Sequence, residues 1–322
     1  NGNYNAAANV NVNVSITAAS QTITFPAVPT QTFAPGATLN LSATASSGLA
    51  VSFASDSPAV CSVSGNVVSL LTAGSCGIRA TQAGNGNYNA AADVRNTFTV
   101  DKSAQTITFS PIAAQTFAPS GGFSVAASAS SGLVVSFASD TPAVCSVSGT
   151  SVSILTGGTC TLRASQAGNG NYNPAADVIA SVVIAQSVQT ITFGALPGQP
   201  LAGTPLQVSA TSSSGLAVVF SSQSPTVCSV SGATVTMLSL GTCTVRASQS
   251  GDINHLAAVP VDRSLTVSQA VSQLTLSSSN SRAAYGKPVS LTLMVRGFSP
   301  TGRVDFMTSG ADGVMQVCNA VV

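Results

Sequence analysis

The sequence predicts an all-β protein, a tandem series of antiparallel β-sandwiches arranged end to end as a rod. Three observations predict it: a motif repeated at fixed spacing, apolar and polar residues alternating with period two, and closely spaced turn signals. Gln-Thr-Ile-Thr-Phe occurs at 21–25, 105–109 and 189–193, both steps being 84 residues. Cysteines follow the same spacing as Cys61/Cys76, Cys145/Cys160 and Cys228/Cys243, each pair 15 apart. Self-similarity at a fixed period is the mark of a repeat architecture.

Within one copy the strands can be read off in order. Ile23 and Phe25 face one way, and Thr22 and Thr24 the other. Leu39, Leu41, Ala43 and Ala45 alternate with Asn40, Ser42, Thr44 and Ser46. Val51 and Phe53 flank Ser52, and Cys61 and Val63 flank Ser62. Cys76, Ile78 and Ala80 alternate with Gly77, Arg79 and Thr81. Such alternation puts one set of side chains in a core and the other in water. Pro35-Gly36, Ser47-Gly48, Ser57-Pro58, Ser64-Gly65-Asn66 and Ala73-Gly74 separate the runs. Val63-Ser-Gly-Asn-Val67 reads as a tight hairpin in which Gly65 supplies positive φ. About seven short strands per copy make a sandwich.

The repeats also set the expected boundaries. Asn1–Ala8 recurs as Asn85–Ala92, so residues 1–20 are expected to be the tail of a preceding copy. Asn1–Ala8 lacks the basic start and apolar stretch of a signal peptide. Full copies are expected over 21–103, 104–187 and 188–271, and an incomplete, divergent domain over 272–322. The links between copies, Asp101-Lys-Ser103 and Gln186-Ser187, are short, which favours a semi-rigid array.

The residues now carry a resemblance. Ser57-Pro-Ala-Val-Cys-Ser-Val-Ser-Gly65 with Ala73-Gly-Ser-Cys-Gly-Ile-Arg-Ala80 resembles the bacterial immunoglobulin-like repeats of large surface proteins, in particular the group of intimin and invasin stalks. The block recurs over 141–164 and 224–247. Tyr285-Gly-Lys-Pro-Val289 and Pro300-Thr-Gly-Arg-Val-Asp-Phe306 resemble a second group of such repeats. The two Cys depart from the first group, where small residues such as Ala are more usual. The resemblance implies an extracellular stalk, an adhesin or an appended module, with no active site.

Composition excludes several classes. Only 6% of residues are charged, against about 25% in ordinary soluble domains. The net charge is +1, which is no footprint for nucleic acid or an anionic membrane. No uninterrupted apolar stretch of the length a membrane helix needs is present. With Glu absent and one His, acid–base and metal chemistry have little material, and no enzyme activity and no cofactor are expected.

The cysteine pairs admit several readings. Both members of each pair fall on inward faces of strands separated by one strand, so they can converge. A structural disulfide is favoured and would place the chain in an oxidising compartment. Buried thiols remain open. Zinc wants about four ligands, and a redox pair is normally Cys-x-x-Cys; neither spacing is present. Cys318 is unpaired, its partner expected in strands the last domain lacks.

Other residues offer sharper and blander readings. The loop Gly84-Asn-Gly-Asn-Tyr-Asn89 and its copy at 168–173 make Tyr88, Tyr172, Asn87 and Asn171 a candidate binding site. A Tyr flanked by Asn stacks on a sugar ring and bonds its hydroxyls; the blander reading is a turn whose Tyr covers the end of its core. A phosphate cradle would need a following helix and usually a Lys, both missing here. Calcium needs six to eight oxygens, and no Asp-x-Asp occurs. His255 occupies the place of those tyrosines, which argues against a catalytic triad and for a ring packed on its own domain. Arg79, Arg163 and Arg246 recur at one outward strand position, either as a ligand ladder or as local partners of Asp56 and Asp140; the third copy has Gln223 there.

The function expected from all this is a non-catalytic stalk of a large secreted or cell-surface bacterial protein, presenting a distal functional domain. Its partners are then neighbouring repeats of the same chain. The alternatives are adhesin modules that bind glycans or a host or cell-surface protein through loop tips, or subunits of an extracellular fibre assembled by strand donation.

Overall fold

The computed structural model describes residues 2–279, 282 and 290–296, and the backbone alone of 303–310 and 313–321. Among these residues every helix or strand is a strand. The chain is a tandem series of immunoglobulin-like antiparallel β-sandwiches.

The first copy shows the plan. Its strands are β1 (Ile23–Thr24), β2 (Gln31–Thr32), β3 (Thr38–Asn40), β4 (Thr44–Ala45), β5 (Ser52–Ser55), β6 (Cys61–Ser64), β7 (Val67–Leu70), β8 (Gly74–Thr81) and β9 (Val94–Asp101). One sheet has the order β2-β9-β8-β5, the other β3-β7-β6, and β1 pairs with β4. Pairing is antiparallel except between β2 and β9, where Gln31 lies opposite Val100 in parallel register. The core follows from the period of two. Along β8, Cys76, Ile78 and Ala80 are fully buried while the residues between them keep partial exposure. Phe98 and Val100 of β9 and Val68 and Leu70 of β7 close over them. The β6–β7 hairpin turns at Gly65, whose φ of 61° lies where a side chain is costly.

The plan recurs. In the third copy Gln199–Pro200, Val261–Ser268, Gly241–Ser248 and Val219–Ser222 form the four-stranded sheet, and Leu206–Gln207, Thr234–Met237 and Cys228–Ser231 the three-stranded one. In the second, Gly122–Ser124, Ser151–Ile154 and Cys145–Ser148 form the three-stranded sheet.

Each cysteine pair is bonded: Cys61 to Cys76, Cys145 to Cys160 and Cys228 to Cys243. The bond ties β6 to β8, and so one sheet to the other across the core. Closing a loop of this length stabilises by about 3 kcal/mol in the chain-entropy model. The thiol of Cys318 lies outside the described residues.

By its internal contacts the chain divides into two compact units. Asn1–Ala114, Ser120–Leu155 and Thr159–Val183 form one; Gln115–Pro119, Thr156–Gly158 and Ile184–Val322 form the other. The division runs through the second copy rather than along the edges of copies. Past the third copy, Gln273–Ser278 pairs with Leu291–Arg296, and Arg303–Gly310 with Gly313–Val321.

Candidate functional site

The Gly-Asn loops are built by their own backbone. Gly84, Gly168 and Gly251 have φ of 79°, 75° and 80°. A Cβ on any of them would also strike the carbonyl of Tyr88, Tyr172 or His255, so only glycine fits. Asn85 Oδ1 then accepts from the N–H groups of Asn87 (2.9 Å) and Tyr88 (3.0 Å). Asn169 does the same for Asn171 and Tyr172, and Asp252 for Asn254 and His255. A side-chain acceptor two residues ahead is the usual device for holding such a turn.

A buried amide fastens each loop to its own copy. Gln21 Nε2 donates to Gln82 Oε1 (2.6 Å) and to the Asn89 carbonyl (2.7 Å), while Ser47 Oγ donates to Gln21 Oε1. Gln105 makes the same bonds with Gln166, Asn173 and Ser131. Gln189 makes them with Gln249, Leu256 and Ser214. These glutamines are buried. From the sequence the Gln of each Gln-Thr-Ile-Thr-Phe reads only as a repeat marker; its recurrence at a strand start was the signal.

The link into each copy lies against that copy's loop. Ala19 donates to the Asn87 carbonyl and accepts from Asn89 N–H, both at 2.8 Å. Ser103 and Ser187 make the matching bonds to Asn171 and Asn173, and to Asn254 and Leu256. The loop tip is therefore carried to the end of the preceding copy.

There the candidate residues meet their partners. The Tyr172 ring stands edge-on to Phe33, with centroids 5.8 Å apart and planes at 89°, and joins the first copy's core. Asn171 Oδ1 accepts from Ala73 N–H at 2.9 Å. At the next joint the His255 ring meets Phe117 at 5.5 Å and 82°, and Asn254 Oδ1 accepts from Gly157 N–H at 2.8 Å. Each joint lies inside one compact unit. This corrects the expectation for Tyr172 and His255: each ring packs against a Phe of the preceding copy. The reason is the link, which pins the loop backbone and turns its tip forward. Phe33 and Phe117 sit in Gln-Thr-Phe-Ala-Pro at 31–35 and 115–119, a repeat that could have flagged them. Asn87 is exposed and Tyr88 half-buried, and among the described residues no ring packs on Tyr88.

Asp252 gives the second joint an ionisable group. Partial burial pushes its carboxyl upward, but the N–H groups of Asn254 and His255 and the His255 ring outweigh this and hold it below the ordinary carboxylate value. His255 Nδ1 lies 2.9 Å from Asp252 Oδ1.

The outward arginines find local partners. Arg79 lies 3.4 Å from Asp56, which Arg95 also meets at 3.0 Å. Arg163 forks onto Asp140 and reaches Asp177 at 3.1 Å. Where Gln223 replaces the first acid, Arg246 takes Asp262 from the neighbouring strand at 2.8 and 2.9 Å. Those hydrogen bonds hold Asp262 below the ordinary carboxylate value.

An open cleft of about 330 Å³ in the first copy is lined by Phe25–Pro29, Gln31 and Leu39–Ser42, with no acid, base or thiol among them. Among the described residues no group of three or more His, Cys, Asp or Glu is placed to hold a metal. No helix among them is long and apolar enough to cross a membrane.

No protein-family model and no curated protein matches the chain. It is similar to solved structures of other tandem-domain proteins. Drosophila N-cadherin EC1-3 aligns at 11% identity over 76% of this chain and 98% of its own, with a TM-score of 0.29. A tetra-tandem repeat in the extending region of a large adhesion protein aligns at 18% over 95% and 88%, with 0.30. The N-terminal eight Ig domains of Down Syndrome Cell Adhesion Molecule align at 15% over 89% and 46%, with 0.22. These likenesses carry no argument about what the chain binds or does.

Proposed function

We propose that this chain is a non-catalytic spacer of a large secreted or cell-surface bacterial protein, holding a distal functional domain away from its anchor. In this reading 21–103, 104–187 and 188–271 are full modules, 1–20 ends a further one, and 272–322 belongs to a divergent domain. Length and fixed joints do the work rather than chemistry. One observation carries the reading: Asn171 and Tyr172, the residues best suited to grip a sugar, are spent on the neighbouring copy. Bridged cysteines in every full copy support an oxidising, extracellular setting. The neutral Ser/Thr/Asn faces suit a spacer, since they offer no charge for a partner to read.

A binding role through the loop tips is the competing reading. A glycan array and a cell-binding assay on residues 21–271 separate the two. The spacer reading predicts no signal above background. Binding that is lost in Tyr88→Ala or Tyr172→Ala would overturn it.

A further inference from the structure

Residues 10–17 have the makeup of a core strand without a core. Val10, Val12, Val14 and Ile16 are 77–93% exposed, and none of them lies in a strand. By the 84-residue step they stand where Val94, Asn96, Phe98 and Val100 of β9 stand, and Phe98 and Val100 are buried. A contiguous run of exposed apolar residues marks a surface that takes a partner. The segment then runs through Ala19 onto the Asn85–Asn89 loop, as Asp101 runs through Ser103 onto Asn169–Asn173.

That loop is half of a joint. At the two filled joints, Asn and a ring meet a backbone N–H and a Phe. Here Asn87 and Tyr88 are set in the same turn, with the same Asn85 bonds and the same link. Their other half is missing among the described residues.

We infer that Val10–Thr17 and the Asn87/Tyr88 tip together form a docking surface for the body of one more repeat of this same kind, open for want of its last strand. The body would take Val10–Thr17 as that strand, beside its own equivalent of β8. It would offer Tyr88 a ring equivalent to Phe33, and Asn87 an N–H equivalent to that of Ala73. The filled joints fix this choice of occupant, because strand, link and tip reach one body in the same order. A second copy of the chain is the poorer occupant. Its three full modules already carry Val94–Asp101, Val178–Ala185 and Val261–Ser268. Its Phe33 and Phe117 are already covered. The inference rests on the reading of the copies as modules in series, and adds which surface accepts the next one.

The test copies residues 21–84 in front of Asn1 of the full chain, which restores an 84-residue repeat because Asn1 matches Asn85. Amide exchange at residues 10–17 should fall from near free-chain rates to those of Val94–Asp101. Intact mass should show one additional internal disulfide. Tyr88→Ala should lower the melting temperature of the extended chain and leave that of the original chain unchanged. The inference is overturned if 10–17 stay unprotected, whether or not the new disulfide forms. It is also overturned if Tyr88→Ala affects both chains alike, or if the original chain self-associates with concentration in sedimentation. A failure here leaves the spacer reading to the glycan assay. A glycan signal would in turn sink that reading with the docking result intact.

Discussion

Gln105 is a polar side chain held inside an apolar module by three bonding groups of its own copy. It donates to Gln166 and to the Asn173 carbonyl and accepts from Ser131. Replacing it with Leu keeps the volume but strands those partners, and a buried polar group left unpaired costs about 1–3 kcal/mol. Gln105→Leu is therefore predicted to lower denaturant stability by that amount and to speed exchange at 169–173 and at Ala73, whose N–H bonds Asn171. Asp252 makes a second prediction at this scale. Its folded carboxyl sits below the unfolded one, so its contribution is present above about pH 3.9 and is lost as pH falls through the lower folded value. Asn85 and Asn169 hold the same place in the sister loops and do not titrate. Acid should then free Gly157 N–H before Ala73 N–H, as read by amide exchange between pH 5 and 2. Simultaneous release would show that Asp252 does not hold its joint.

The strands were legible because each carries its pattern within a few residues. Leu39 to Ala45 and Cys76 to Ala80 show which face is buried with no knowledge of the partner strand. The β6–β7 hairpin was legible because Gly65 names its own turn. The loops were only half legible. Gly84-Asn-Gly-Asn announces a tight turn, but not where Tyr88 or Tyr172 points, since that depends on a link placed about 70 residues earlier in the chain. The parallel β2–β9 pairing and the buried glutamines were hidden for the same reason: their partners are distant and chemically ordinary. In the third copy a break in the repeat hid the arginine partner, since Asp262 of the neighbouring strand replaces the acid that the repeat had led one to expect at 223.

Across the molecule the repeat conserves the joint more faithfully than its rings. Asn87, Asn171 and Asn254 are one residue type in three loops, whereas Tyr gives way to His255 in the third. The receiving side changes as well. Leu201 stands where Phe33 and Phe117 stand, and Leu240 where Ala73 and Gly157 stand, in the third copy. A Cβ at Gly157 would collide with the Ile253 carbonyl, so the second joint is closed tightly on its backbone. The account as a whole rests on these tips being joints between modules rather than sites for a ligand. Amide exchange in the intact chain tests this most directly, at Ala73 and Gly157, with Asn171→Ala and Asn254→Ala beside it. Both amides should exchange slowly in the native chain, Asn171→Ala should release Ala73 alone, and Asn254→Ala should release Gly157 alone. Free-loop exchange at both positions in the native chain would contradict the account.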